Sequence, residues 1–158
     1  MNDGNGRVFH RFECLVKRYV QEVGTAWVRS ITRHSPSTTI GIARITAVEV
    51  TSAVARRRKG RTLTSRKASS ILHRFRQHLA GRYAVVEITP ALFNDAMRLA
   101  NTYALRAYDA VQLAVARELH RRRLAFGLGG ITLISADQEL NAAATVEGVP
   151  VDDPNQHP

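Results

Sequence analysis

Ile131-Thr132-Leu133-Ile134-Ser135-Ala136-Asp137 is an almost unbroken apolar run that ends on an acid. Preceded by Gly129-Gly130, it reads as a strand buried on both faces, the signature of a parallel sheet covered by helices. From Asp137 to Glu147 the spacing turns helical, and Gly148 stops it. Strand, acid and helix in succession set the pattern for the rest of the chain.

Working outward, Tyr83 to Ile88 reads as a strand, and Thr89-Pro90 opens a helix to Tyr103, the hydroxyl capping and the proline in the first turn. Residues 108 to 123 form the next helix, closing on Arg121-Arg122-Arg123, where cations suit the negative end of the dipole. Thr64 caps a long basic helix that stops near Gly81, and Ile45 to Arg57 is helical up to Lys59-Gly60. Before these lie a strand from Thr38 to Ile42 and helical spacing at Leu15 to Tyr19 and Thr25 to Thr32. Residues 1 to 6, Met-Asn-Asp-Gly-Asn-Gly, have turn composition and read as a disordered lead-in; residues 7–153 form one domain and 154–158 a tail. The alternation predicts an α/β domain in which a parallel sheet lies between helical layers, with its chemistry at the carboxyl ends of the strands.

At 158 residues and 44% hydrophobic, the chain buries an adequate core without disulfides or structural zinc. Cys14 is the single cysteine, so no internal bridge forms, and no apolar run reaches membrane-spanning length. A reducing, cytoplasmic setting is the expectation. The net charge of +10 is concentrated, because no Asp or Glu occurs from Val50 to Val86. That tract carries Arg56, Arg57, Arg58, Lys59, Arg61, Arg66, Lys67, Arg74, Arg76 and Arg82, while cations and acids balance elsewhere. Such a field attracts polyanions, and a nucleic-acid partner is the natural reading, with Arg56, Arg57, Arg58, Lys59 and Arg61 as the contact candidates. An acidic protein would satisfy the same field.

Three acids interrupt apolar surroundings: Glu49 in Thr46-Ala47-Val48-Glu49-Val50, Asp109 in Ala107-Tyr108-Asp109-Ala110-Val111, and Asp137 at its strand-to-helix turn. Taken singly, each has an ordinary use: Asp137 caps a helix, Asp109 satisfies backbone amides, Glu49 pairs with an arginine. Together on one α/β unit they predict a site for Mg²⁺ or Mn²⁺ held by oxygen ligands. Asp109 lies in the first turn of its helix, where the dipole is expected to favour its ionised form. No Cys/His spacing supports zinc, and Gly127-Leu128-Gly129-Gly130 precedes a strand, so it is a turn and not a phosphate loop.

These residues resemble the PIN-domain ribonucleases, in particular the VapC-like toxins of bacterial toxin–antitoxin pairs. Leu15-Val16-Lys17-Arg18-Tyr19-Val20 is similar to the family's first helix, and the segments bearing Glu49, Asp109 and Asp137 are similar to its acidic motifs, in order. The resemblance implies a three-layer α/β/α domain with a central, mostly parallel sheet. It also implies metal-dependent RNA cleavage with Glu49, Asp109 and Asp137 as catalytic metal ligands, an antitoxin partner, and homodimerisation.

One motif departs from the family. Members begin with a strand ending in an apolar residue, Asp, Ser or Thr, Ser or Asn, then Ala; here the window reads His10-Arg11-Phe12-Glu13-Cys14. Arg11 stands where the first metal-binding Asp is expected, and Glu13, two residues on, is a weak substitute. The window can be written in the codons CAT CGA TTC GAG TGC, and the same bases read one position later spell Ile-Asp-Ser-Ser-Ala, the missing motif, so that two compensating single-base changes would account for it. Two functional classes follow: a PIN-type ribonuclease, or a catalytically inactive PIN-like module that binds RNA or an antitoxin. A DNA-binding regulator built on the basic helices is a third, although helix-turn-helix spacing is not evident.

Overall fold

The computed structural model describes residues 9–13, 16–19, 21, 23–33 and 38–157; the expected lead-in and Cys14 lie outside these. The elements run β1 (Phe9–Glu13), α1 (Val16–Tyr19), α2 (Thr25–Ile31), β2 (Thr38–Ala43), α3 (Thr46–Lys59), α4 (Ser65–Gly81), β3 (Tyr83–Val86), α5 (Pro90–Tyr103), α6 (Ala107–Ala125), β4 (Ile131–Ile134), α7 (Gln138–Val146) and β5 (Val151–Asp152). A 3₁₀ turn, Pro154–Gln156, follows. The sheet has the order β3-β2-β1-β4-β5, and every pairing is parallel.

Alternation along the strands divides the core. Ile40 and Ile42 of β2 join Tyr19, Val50, Val54, Ala68, Phe75 and Tyr83 on one face, beneath α1, α3 and α4. Ala43, Ile131 and Leu133 belong to the other cluster, with Leu99, Leu113, Leu140 and Ala144 of α5, α6 and α7. The result is the three-layer α/β/α arrangement expected from the alternation. Phe75 of the basic helix α4 belongs to the first cluster, and the half-buried Leu72 and Leu79 pack against it, so the apolar stripe of α4 faces the core.

Local signals explain the helix starts. Thr64 accepts from the backbone N–H of Lys67, and Thr89 accepts from Leu92 ahead of Pro90. β1 is the element that local composition does not explain: three of the five residues in Phe9-His10-Arg11-Phe12-Glu13 are polar or charged, yet the strand is central, with Arg11 in register with Ile40 and Thr132. Residues 154–157, expected as tail, belong to the packed domain. Pro154 is buried, the His157 ring stacks on Trp27 at 4.0 Å, and Gly24 takes φ +80°, where a Cβ would meet the Pro154 carbonyl at 2.3 Å.

A polar knot ties α1, α4 and β3. The Tyr19 hydroxyl lies 2.6 Å from His78 Nδ1 and 2.5 Å from the Tyr83 hydroxyl. Burial, reinforced by Arg18, Arg82 and Arg74, lowers the His78 pKa from an ordinary 6.5 to about 4. Between those values the unfolded chain holds a proton that the folded chain refuses, so stability falls as pH drops through this window. Urea unfolding from pH 7 to 4.5 is expected to show that decline, and His78→Gln, which still accepts from Tyr19, to reduce its slope; an identical slope in the variant would count against this origin.

Candidate active site

The carboxyl ends of β2 and β4 open into a cleft of about 900 Å³, a volume suited to a nucleotide-sized ligand. Glu49 reaches it from the first turn of α3, Asp109 from the first turn of α6, and Asp137 from the turn after β4. The three acids, separated by dozens of residues in sequence, line one hollow. Tyr108, Gln112, Ser52 and Ser135 also line it, and Lys17, Arg56, Arg57 and Arg106 supply cations.

Glu49 is half-buried on an otherwise apolar helical face between Ile45 and Ala53. Burial raises its pKa above the usual carboxylate range; a hydrogen bond with Tyr108 opposes the rise, Asp109 adds to it, and Arg56 again opposes it. Its Oε2 is buried without a hydrogen-bond partner. Asp109 is raised by burial first and next by the charge of Asp137, with Arg106 opposing and Glu139 adding. Desolvation and a neighbouring carboxylate thus raise the Asp109 pKa although the residue sits at the positive end of α6.

Asp137 performs the ordinary duty considered for it, since its Oδ1 accepts from Leu140 N–H at 2.9 Å as the N-cap of α7. Among the described residues, no three His, Cys, Asp or Glu side chains are grouped closely enough to hold a metal ion. The donor chemistry nevertheless fits a hard cation. One carboxylate oxygen is buried and unmatched, and Asp109 adds to the rise in the Glu49 pKa as Asp137 adds to that of Asp109, a repulsion that a divalent ion would relieve.

The candidate nucleic-acid contacts divide. Arg56 and Arg57 line the cleft; Arg56, Arg58 and Lys59 line an adjoining hollow with Ser52 and Ser65; Arg61 lines neither and sits at φ +57° in the turn after α3. Several cleft residues were not singled out from the sequence. Gln112 carried a signal, because it lies three residues after Asp109 on the same helical side. Tyr108 carried none. Lys17 is buried, its ammonium donating to the Val23 carbonyl at 2.9 Å and to Asn155 Oδ1 at 3.0 Å, the second a contact that depends on the folded carboxyl-terminal segment.

Comparison with known proteins adds a family and a fold. The family model described as PIN domain matches residues 15–146, most of the chain, beginning just after the His10–Cys14 window. No curated protein sequence matches significantly. Similar solved structures include PAE2754 from Pyrobaculum aerophilum (18% identity, 94% of this chain and 91% of that one, TM-score 0.57). A toxin–antitoxin complex from Klebsiella pneumoniae is similar at 20% identity (92% and 97%, TM-score 0.57). FitAcB from Neisseria gonorrhoeae is likewise similar at 20% identity (95% and 100%, TM-score 0.56). At these identities the structural likeness speaks to fold. Among the described residues, no helix is long and apolar enough to cross a membrane.

The capping duty of Asp137 is separable from its charge. Asp137→Ala is expected to cost about 1 kcal/mol through loss of the cap, lowering the melting temperature by about 2–4 °C in a domain of this size. Asp137→Ser keeps an acceptor and should recover most of that loss; equal destabilisation by both in thermal melts would show that the cap is not the cause.

Proposed function

The chain belongs to the PIN-domain family, and from that premise we propose that it is built as a metal-dependent ribonuclease, the toxin of a toxin–antitoxin pair, with its competence governed by position 11. The observation that carries this reading is the gathering of Glu49, Asp109 and Asp137 on one cleft with a buried, unmatched Glu49 oxygen. The basic tract beside it supports a polyanionic substrate, and RNA is the reading we adopt. An antitoxin partner is suggested by the toxin–antitoxin complex among the similar structures, and a homodimer by the family resemblance.

In this proposal Glu49, Asp109 and the Asp137 oxygen not engaged in capping hold Mg²⁺ or Mn²⁺. When bound, such an ion polarises a phosphoryl oxygen and lowers the pKa of its water for in-line attack. The chain's own residues do the rest. Arg56 and Arg57 bind phosphates flanking the scissile one, and Arg106, beside Asp109, offers a further anion contact. Tyr108 holds the Glu49 carboxylate in place through its hydrogen bond.

Arg11 favours the second reading, a module that binds RNA or an antitoxin without cutting, because a cation at the position of the first family Asp opposes a divalent ion. RNA cleavage assays with and without Mg²⁺ distinguish the two. Arg11→Asp is expected to raise activity, and Asp109→Asn in that background to lower it by about 10- to 100-fold or more. Equal, robust, Mg²⁺-dependent cleavage with and without Arg11→Asp would refute an inhibitory Arg11.

The shifted reading can also be extended upstream. Arg7-Val8-Phe9 can be written CGT GTA TTT, and CGT GTA TTT CAT CGA TTC GAG TGC read one base later spells Val-Tyr-Phe-Ile-Asp-Ser-Ser-Ala. That product is an apolar strand ending in an acid, the composition a central parallel strand calls for. We infer compensating single-base changes around this segment. Resequencing the gene tests it: codons that do not yield the apolar-Asp-Ser-Ser-Ala sequence in the shifted frame would end the inference.

A further inference from the structure

Gln112 is 1% exposed, the one amide in a stretch of α6 that otherwise buries Ala110, Val111 and Leu113 to Ala116. It lines the cleft. Its Nε2 donates to the Tyr108 hydroxyl, and its Oε1 is buried with no hydrogen-bond partner. Tyr108 also hydrogen-bonds the Glu49 side chain, with a longer contact of 3.4 Å to Thr46 Oγ1. An ionised carboxylate only accepts, so the single phenolic proton goes to Glu49 and the phenolic oxygen accepts from the amide nitrogen. That assignment fixes the orientation of the amide and leaves its carbonyl as the atom without a partner.

One phenol thus anchors two side chains, Glu49 and Gln112, each with an unsatisfied oxygen and each lining the same hollow. A buried oxygen acceptor is matched by a donor or by a cation. Hard divalent ions accept amide carbonyls alongside carboxylates, and a neutral donor enlarges the ligand set without adding to the repulsion between Glu49, Asp109 and Asp137.

We propose that Gln112 Oε1 is a neutral ligand to the divalent cation of this cleft, held in position by Tyr108, and that it completes a set which the acids alone leave open. This rests on the metal-dependent reading above. Tyr108 is then a positioning residue for Glu49 and Gln112 together.

The test is Mn²⁺ binding to the full chain, followed by the electron paramagnetic resonance signal of free Mn²⁺, in the sequence as it stands and in the Arg11→Asp background. Gln112→Leu, which removes the donor at similar volume, should weaken Mn²⁺ by about 10-fold. Gln112→Glu should match or exceed the parent, and Tyr108→Phe should fall between parent and Gln112→Leu, with circular dichroism establishing that each is folded. Unchanged Mn²⁺ affinity in folded Gln112→Leu, alongside a loss in Asp109→Asn, would overturn the Gln112 assignment and leave the metal reading intact. No Mn²⁺ binding in either background would overturn both. If Gln112→Leu does not fold, Gln112→Glu decides: affinity below the parent's refutes the ligand role. Weaker RNA binding in Gln112→Leu at unchanged Mn²⁺ affinity would place the amide on the substrate and likewise overturn the proposal.

Discussion

A buried carboxylate oxygen with no donor to meet it carries a penalty of about 1–3 kcal/mol, more when it is charged, and Glu49 Oε2 is held in that condition at the carboxyl edge of the sheet. Only a well-packed scaffold sustains such a group. Val50, Val54, Ile42 and Phe75 below α3, and Leu113 to Ala116 along α6, are buried to 2% exposure or less. Those two helices are therefore fixed relative to the sheet, and Tyr108 on one meets Glu49 on the other. The strain is tolerable because it is local and the core on both faces is not.

The same scaffold explains how β1 keeps its place with an unfavourable sequence. A central parallel strand is normally a run of β-branched and aliphatic residues, since both faces are covered. Phe9-His10-Arg11-Phe12-Glu13 is not such a run, yet it is hydrogen-bonded between β2 and β4 at four register positions on each side. The topology requires a strand there, because β2 and β4 have no direct pairing without it. Conflict between local sequence and global fold is uncommon in natural proteins and concentrates at functional positions. In this chain it falls on β1.

Much of the architecture was legible because its causes are local. The apolar run at Ile131 announced β4, and Thr64, Thr89 and Asp137 each cap the helix that follows them. The three acids stood out because they broke apolar patterns, and the fold brings them to one cleft. What escaped has tertiary causes. The polar composition of β1 hides a strand made by its neighbours; the 154–157 segment looks like tail until Trp27 and Gly24 receive it. The raised pKa of Asp109 has the same kind of cause: the helix terminus is visible in sequence, whereas the burial of the carboxylate and the approach of Asp137 are not. Tyr108 and Gln112 acquire meaning only through Glu49, more than fifty positions away in sequence.

The basic tract and the acidic cleft act over different distances, which lets opposite charges cooperate. Exposed cations such as Arg58 and Lys59 act through solvent, where screening confines their influence to about 8 Å at physiological salt. A field of this kind raises the local concentration of a polyanion without fixing its point of contact. The carboxylates act at contact in a less polar hollow, where a single charge matters more. Arg56 belongs to both, lining the cleft and the adjoining hollow, and its charge opposes the rise in the Glu49 pKa. Under the proposed function, an anion drawn along the α3 arginines would reach the acids already accompanied by cations, and a divalent ion held by those acids would offset the remaining repulsion.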